Sequence, residues 1–460
     1  MPVLVLVTCV IAGLAVSQGL RDASLGRTIA VGLGLMLLLL LATLAFKRTH
    51  LMFGISFALL AFVAFDPAPV DVAIAFLVAA SLSAGSVPYR VPAFAAVALT
   101  GFGVLSVQSM VNVTSLGHAL RFEVITLYVL GLVFWLSGMF DRSEYVRIGM
   151  SMYVVAAALT GLAASLALFI HFPGSSVLTY GGARAKGFFK DPNVFGPFLV
   201  PAAAIVLEDI GARRLLPWGR NVLVAIFMSA SVGTVLAYSR AGWLNYVVAI
   251  TTVIAFQAAR RGGWRRATAS LSVLALCAGI GVAVLAYTGS LSFFQSRSHL
   301  QAYDQTRFAT QTNAFDQATV HVLGHGPGQT ELSLDYSTHS LYARAAYEQG
   351  ILGLALVLVI LGTTLFFGLS LARHDRSVQG VGSAALVGSW LGLIANSVFI
   401  DTLHWRHLWV IAALIFSGYY ATRDGSLART PSLRDRNGRA ATLALATTSD
   451  PPLRPGPIRR

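Results

Sequence analysis

Three short clusters of cationic and imidazole side chains stand between apolar stretches of this sequence, and their residue types favour chemistry on an anion. The first cluster contains Arg184 and Lys186 and runs on to Asp191 and Asn193. Arginine offers phosphate oxygens a planar fork and lysine offers a point charge, so these cations beside flexible glycines suit a phosphate. The alternative is a loop that lies on lipid headgroups, with Asp191 and Asn193 capping the next helix.

The second cluster is the corner Tyr238-Ser239-Arg240-Ala241-Gly242. The corner is so short that Arg240 must lie at the membrane surface or turn inward. A lone arginine at a helix end usually extends to the interface. Membrane anchoring and a role in chemistry are therefore both open for Arg240.

The third cluster spans Arg307, a Gly-His-Gly-Pro-Gly turn at 324–328, and His339 within Thr-His-Ser-Leu-Tyr. An imidazole with a pKa of about 6.5 is the side chain best suited to take a proton from a hydroxyl group near neutral pH. An amphipathic helix that carries His339 is predicted to follow the Gly-Pro turn, and His339 is the first candidate for this base. Five other histidines compete for the role: His299, His321, His325, His404 and His407.

No metal or cofactor is expected. The sequence has no H-E-x-x-H motif and few carboxylates, so a zinc site is not predicted. It also has no G-x-x-x-x-G-K-[ST] motif for a nucleotide. The energy for any reaction must then come from the substrate itself.

The elements that carry these clusters belong in a bilayer. Hydrophobic residues make up 56% of the 460 residues and charged residues only 11%, whereas a soluble protein has about a quarter of its residues charged. Mean hydropathy is +0.71. The net charge of +14 comes mainly from arginines in short breaks between apolar stretches, which indicates membrane topology and not a nucleic-acid partner.

Apolar stretches long enough to cross about 30 Å of hydrocarbon recur along the chain. We predict an all-α, polytopic membrane protein with about 12–14 transmembrane helices and a long extracytoplasmic loop, about 289–348, that contains short helices. The stretch at 51–65 is short enough to be tilted or re-entrant. The candidate spans are 2–19, 28–46, 51–65, 69–86, 91–109, 123–140, 149–171, 194–212, 221–238, 242–258, 269–288, 349–372, 380–400 and 407–421.

Orientation follows from lysines and arginines near helix ends, which stay cytoplasmic. With fourteen spans, every basic break falls on one side, so both termini are predicted to be cytoplasmic and all three clusters extracytoplasmic. We divide the chain into a transmembrane domain, 1–421, and a basic cytoplasmic tail, 422–460. The tail has eight arginines and several prolines without an apolar period, so it is predicted to be disordered.

The order of the motifs resembles that of a known family. R-x-x-G-x-F-x-D-P-N at 184–193, S-R-A-G at 239–242, and G-H-G-P-G, H-S-L-Y and E-Q-G-I-L-G between 324 and 353 are similar to the core pattern of the O-antigen ligase and polymerase superfamily. The similarity covers about 180–410. Ser340 follows the histidine where asparagine is frequent in that family.

The resemblance implies a metal-independent glycosyltransferase of the class C type in the bacterial inner membrane. Its donor would be a polyprenyl-diphosphate-linked glycan, and its acceptor a glycan, a lipid or a protein, as in polymerases and ligases of O-antigen or exopolysaccharide. By this analogy Arg184 and Arg240 would hold the diphosphate, and His339 would act as the base. Arg307 and Asp401 would be further substrate contacts.

A second hypothesis is a lipid-linked glycan flippase or another secondary transporter without covalent chemistry. Transporters place ionisable residues in the middle of their helices, along a path between the two faces. Here Glu208 and Asp209 lie near a helix end, and the centres of the predicted spans are nearly free of charge. This pattern favours the transferase.

Overall fold

The computed structural model describes most of the chain between residues 40 and 423. The described residues are 40–65, 67–85, 90–212, 215–260, 263–287, 289, 291–299, 302–334 and 336–423. The predicted span at 2–19, most of the one at 28–46, and the predicted tail from 424 onward lie outside them.

The structure is almost entirely helical, and its described helices are numbered here in chain order. Residues 40–47, which precede α1, are helical as well. The first seven helices are α1 Thr49–Leu59, α2 Pro69–Ser83, α3 Ala93–Ser109, α4 Leu116–Met139, α5 Ser143–Leu166, α6 Pro192–Ala212 and α7 Arg220–Leu236. The others are α8 Arg240–Ala259, α9 Trp264–Tyr287, α10 Leu291–Ser298, α11 Ala302–Val320, α12 Thr330–Ser333, α13 Leu341–Arg373, α14 Ser383–Asn396 and α15 Arg406–Arg423.

The few strands are two residues long and join loops. β1 (Phe62–Val63) pairs in parallel with β4 (Phe188–Phe189), which fastens the loop after α1 to the loop before α6. β2 (Thr179–Tyr180) and β3 (Arg184–Ala185) form a hairpin in which Tyr180 faces Arg184. A second hairpin joins β5 (Ser377–Val378) to β6 (Val381–Gly382).

The predicted polytopic membrane fold is confirmed. Seven described helices are long and apolar enough to cross a membrane, and four shorter apolar helices accompany them. Each predicted span from 51–65 onward overlaps a helix. The ends of the spans agree only approximately: α1 ends at Leu59 because the chain turns into β1, whereas the span predicted from 349 begins beside the break of α13 at Gly350.

Helix α6 lies in the interior and packs against α7, α8 and α14. Small residues let α14 approach α8 closely, as is common between membrane helices. A Cβ atom added to Gly392 would lie 2.6 Å from the carbonyl oxygen of Asn245, and one added to Gly388 would lie 2.6 Å from that of Ala249. Side chains at these two positions would force the helices apart.

Charged residues in the breaks that we predict to be cytoplasmic contact one another across the fold. Arg90 forms an ion pair with Asp141 at 3.2 Å. Arg260 pairs with Glu208 and with Asp375, each at 3.0 Å. The breaks that we predict to lie together on one face therefore meet in space, although the side of the membrane stays a prediction.

Candidate active site

A cavity of about 520 Å³ lies under the long loop, and it is unusually rich in arginine. Its wall carries four arginines, two aspartates, three tyrosines and one histidine. These residues are Arg184, Arg240, Arg297, Arg307, Asp191, Asp304, Tyr180, Tyr303, Tyr336 and His339. Residues from all three clusters, distant in sequence, thus share one cavity.

Arg184 reaches the cavity from β3 because the surrounding motif folds tightly. Gly187 has a φ of +54°, and a Cβ atom there would lie 2.8 Å from the ring of Phe195, so only glycine fits. Asp191 accepts a hydrogen bond from the backbone N–H of Asn193 at 2.6 Å at the start of α6. The amide oxygen of Asn193 in turn accepts a hydrogen bond from Arg184 at 3.1 Å.

The Arg184 guanidinium also donates from Nε to the carbonyl oxygen of Ala237 at 3.0 Å. This contact links the first cluster to the corner that precedes α8. Burial, followed by the charge of Arg297, lowers the pKa of Arg184, and Asp191 acts in the opposite direction. An anion in the cavity would relieve both of the effects that lower this pKa.

Arg240 is the first residue of α8, and the corner before it is built to hold this position. The hydroxyl of Ser239 accepts a hydrogen bond from the N–H of Gly242 at 3.2 Å, which caps the helix. Gly242 packs close to Pro197 of α6, where an added Cβ would lie 3.2 Å from the proline ring. Of the two alternatives left open for Arg240, the structure has the inward turn, since its side chain lines the cavity.

Asp304 ties Arg240 to the long loop. Its carboxylate is buried and lies 2.6 Å from Nη2 of Arg240 and 3.9 Å from Nη1 of Arg307. Arg240 also donates to the carbonyl oxygen of His299 at 3.0 Å and lies over the ring of Tyr303. Helices α10 and α11 are thereby held over the start of α8.

His339 does not lie on the predicted helix but immediately before α13, with a φ of +44°, in the left-handed region. Such a conformation is unfavourable for a residue other than glycine and persists only where neighbours hold it. On one side, Gln311 donates a hydrogen bond to the carbonyl oxygen of Thr338 at 2.9 Å. On the other, Ser340 caps α13 and its hydroxyl contacts the carbonyl oxygen of Ser397.

Ser340 departs from the asparagine that is frequent in the family, but serine and asparagine are similarly good at capping a helix. The substitution is therefore compatible with the same backbone at His339. The imidazole is half-buried and lies beside the ring of Tyr336, with centroids 5.2 Å apart. Burial and the charge of Arg307 lower the pKa of His339 from 6.5, so the neutral, basic form predominates at neutral pH.

The competing histidines do not line this cavity. His325 stacks on Tyr347 with centroids 4.2 Å apart, and the ring of His321 lies beside it. The half-buried His404 contacts the hydroxyl of Thr126 at 3.0 Å, and loss of solvent around the imidazole lowers its pKa to about 4. Among the described residues, no group of three or more histidines, cysteines or carboxylates is placed to hold a metal ion.

Two of the predicted substrate contacts lie outside the cavity wall. Lys186 belongs to the turn after β3, where its backbone N–H donates to the carbonyl oxygen of Leu178 at 2.9 Å. Asp401 turns away toward Arg344, with its carboxylate 2.7 Å from Nε of that arginine. Of the predicted site residues, Arg184, Arg240, Arg307 and His339 therefore line the cavity.

Arg344 is the centre of a buried ion cluster that sequence reasoning missed. Besides Asp401, its guanidinium pairs with Glu348 at 2.9 Å and with Glu331. Arg344 also lies over the ring of Phe122. The cluster joins the long loop, the start of α13 and the loop before α15, all of which border His339.

The Gly-His-Gly-Pro-Gly turn also packs against the first turns of α13. The backbone N–H of His325 donates to Tyr347, and that of Gly326 donates to Glu348, each at 2.9 Å. This docking requires α13 to break at Gly350, where φ is +70°. An added Cβ at Gly350 would lie 1.9 Å from the carbonyl oxygen of Val322. The close contact between the Gly-His-Gly-Pro-Gly turn and α13 therefore requires glycine at position 350.

Sequence reasoning also missed Arg297, Tyr303 and Asp304. Asp304 and Arg307 are three residues apart in α11, a spacing that places them on the same face of a helix. This spacing could have indicated that Asp304 belongs to the same site as Arg307. Arg297 carried none, since a single arginine in a polar loop is usually a solvated surface residue.

A second cavity of about 350 Å³ lies beside the first and is lined mainly by apolar side chains. It is bounded by α7, α8, α9 and α10, and it shares helices α8 and α10 with the arginine-rich cavity. Its wall includes Trp243, Leu274, Ala278 and Phe294.

The fold and the two cavities define a polytopic membrane protein with an anion-attracting site beneath its long loop. Residues 223–358 match the family described as O-antigen ligase. This match confirms the resemblance to the O-antigen ligase and polymerase superfamily, and it supports lipid-linked glycan transfer in general. It includes Arg240, Arg297, Arg307 and His339. No curated protein matches the chain.

Proposed function

We propose that this protein is a glycosyltransferase that moves an oligosaccharide or polysaccharide from a polyprenyl-diphosphate carrier to an acceptor hydroxyl. The observation that carries the proposal is the meeting of His339 with Arg184, Arg240 and Arg307 in one cavity. A base that is neutral at pH 7 beside several guanidiniums suits a reaction that removes a proton and releases an anion.

The charge balance of the cavity favours a diphosphate. Its four arginines outnumber its two aspartates, which leaves a net charge of about +2 before a ligand binds. Guanidinium groups form forked hydrogen bonds with phosphate oxygens, and these charge-assisted bonds are stronger than neutral ones. Arg184 and Arg240 would contact the diphosphate, with Arg307 as a further contact.

The apolar cavity suits the lipid part of such a donor. It lies between α7, α8, α9 and α10, and two of these, α8 and α10, also border the arginine-rich cavity, so a chain lying there would bring its diphosphate end toward the guanidiniums. Burial of apolar chain stabilises binding by about 0.8 kcal/mol for each CH₂ group removed from water. For a donor already in the bilayer, the cavity would serve mainly for positioning.

In the proposed reaction, His339 accepts the proton of the acceptor hydroxyl while the hydroxyl oxygen attacks the anomeric carbon of the donor sugar. The bond between that carbon and the phosphate oxygen breaks, and its electron pair leaves with the diphosphate. The arginines stabilise the charge that develops on this leaving group. General-base help of this kind contributes about 10²- to 10⁴-fold in rate.

We place the active face outside the cytoplasm in the inner membrane of a bacterium, with both termini inside, as the positive-inside rule predicts. The reaction would need no metal, since the arginines supply the charge on the leaving-group side. No separate acceptor domain is evident among the described residues, so we favour a polymerase or a general ligase-type transferase.

The test is activity in a strain that lacks the protein, with wild type compared with His339→Ala, Arg184→Ala and Arg240→Ala. Membrane levels are matched, and surface glycan length is read on a gel. We expect each variant to insert normally and to leave the lipid-linked glycan untransferred. Wild-type glycan in all three variants would refute the proposed site and would make the transporter hypothesis the next to test.

A further inference from the structure

We infer that Arg297 is a further ligand of the donor diphosphate and that it acts as a pair with Arg184. The inference rests on the proposed function, because it adds a residue to the same site. The four arginines of the cavity fall into two groups that differ in their contacts, and this difference supports the inference.

Arg297 lies in the last turn of α10, and its side chain lines the cavity. Its Nε atom is buried without a hydrogen-bond partner. Its guanidinium forms no ion pair with any residue that the structure describes. A buried donor without an acceptor is unfavourable, so an anion in the cavity would satisfy a group that the protein leaves open.

Arg184 is similar in that its hydrogen bonds to the described residues go to neutral oxygens, those of Ala237 and Asn193. The charge of Arg297 acts on Arg184 strongly enough to lower its pKa, second only to burial. Two guanidiniums in one half-buried cavity repel each other. An anion between them turns this repulsion into two attractions.

Arg240 and Arg307 are of the second kind, because both already face the carboxylate of Asp304. Arg307 also donates a hydrogen bond to the carbonyl oxygen of Phe399. A phosphate that binds Arg240 must compete with a buried carboxylate only 2.6 Å away. A phosphate that binds Arg184 and Arg297 displaces no carboxylate of the described residues.

The donor affinity should therefore depend on Arg297 at least as strongly as on Arg240. Part of the role of Arg240 is to hold α11 in place through Asp304. The pair of Arg184 and Arg297 would supply the first contacts of the incoming diphosphate, and Arg240 would join by exchanging Asp304 for phosphate.

The experiment measures the binding of inorganic pyrophosphate to the purified full-length protein in detergent by titration calorimetry. The variants are Arg297→Gln, Arg297→Lys, Arg184→Gln and Arg240→Gln. Arg265→Gln serves as the matched control, because this exposed arginine at the start of α9 does not line the cavity. Thermal melting of each variant verifies that it is folded.

We expect Arg297→Gln to raise the pyrophosphate Kd about tenfold or more, since a hydrogen bond between charged groups is lost. Arg297→Lys should recover part of the affinity, and the control should bind like wild type. A wild-type Kd for Arg297→Gln together with a raised Kd for Arg184→Gln would overturn this inference and leave the proposed function standing. Wild-type affinity in all three cavity positions would overturn both.

Discussion

Replacing Arg344 with methionine should destabilise the protein strongly, because this guanidinium pairs with three carboxylates inside the fold. Only 3% of its side chain is exposed, and its partner Glu348 is exposed by 2% and Asp401 by 18%. Methionine fills much of the same volume, so the change tests the loss of charge and not the creation of a cavity.

The expected size of the effect follows from burial. Removing one partner from a buried ion pair costs about 3–5 kcal/mol, because the remaining charges stay buried without compensation. An exposed ion pair contributes only about 0–1 kcal/mol. The pair of Arg90 and Asp141, with side chains 27% and 28% exposed, belongs nearer to the second class and provides a control.

The assay is the free energy of unfolding of the purified protein in a mixed-detergent titration, followed by far-UV circular dichroism. We expect Arg344→Met to lose about 3–5 kcal/mol and Arg90→Met to lose about 1 kcal/mol or less. Glu331→Gln should have a smaller effect than Arg344→Met, since Glu331 is 29% exposed. Transfer activity should fall with Arg344→Met, because its cluster borders the loop that carries His339.

Equal stability of Arg344→Met and wild type would refute this reasoning. It would mean that the carboxylates take up protons or water at little cost once the arginine is gone. A loss in Arg90→Met as large as that in Arg344→Met would refute the burial argument, because exposure would then not decide the effect.

Three further predictions concern the base, the helix break and the lipid. Activity should be lost as the pH falls through the pKa of His339. Arg307→Gln should move this loss to higher pH, because removing that positive charge raises the pKa of His339. A pH–rate profile that is the same in Arg307→Gln and wild type would contradict this prediction. Gly350→Ala should cost at least about 1–2 kcal/mol in unfolding free energy, since a left-handed backbone disfavours a Cβ. The control, Gly362→Ala, meets no atom within 4 Å and should be as stable as wild type. Ala278→Trp, which fills the apolar cavity, should raise the KM for a lipid-linked donor and leave the Kd for pyrophosphate unchanged; an unchanged KM would argue against a lipid chain in this cavity.

The membrane class of this protein could be predicted from sequence because hydrocarbon accepts only segments whose polar backbone groups are satisfied internally. Runs of apolar residues therefore mark helices, and from 51–65 onward each predicted span overlaps one. The span predicted at 349–372 begins beside Gly350, where α13 breaks, and the polar turns with Arg344 and Glu348 lie before that break.

The candidate site was predictable in part for the same kind of reason. Arg184, Arg240, Arg307 and His339 stood out because charged or imidazole groups occur where membrane topology does not require them, and the structure brings them to one cavity. Lys186 carried the same signal, yet it lies outside the cavity wall. Distance along the chain and residue type do not reveal the direction in which a loop side chain points.

Sequence alone thus specifies the helices, their order and the types of residue that could bind an anion, since these depend on local composition and period. Only the tertiary structure pairs Asp304 with Arg240, directs Asp401 to Arg344 and leaves Arg297 open to a ligand. Each of these outcomes depends on the distances between segments far apart in the chain. Charges interact according to distance and burial, and both are created only when the helices pack together.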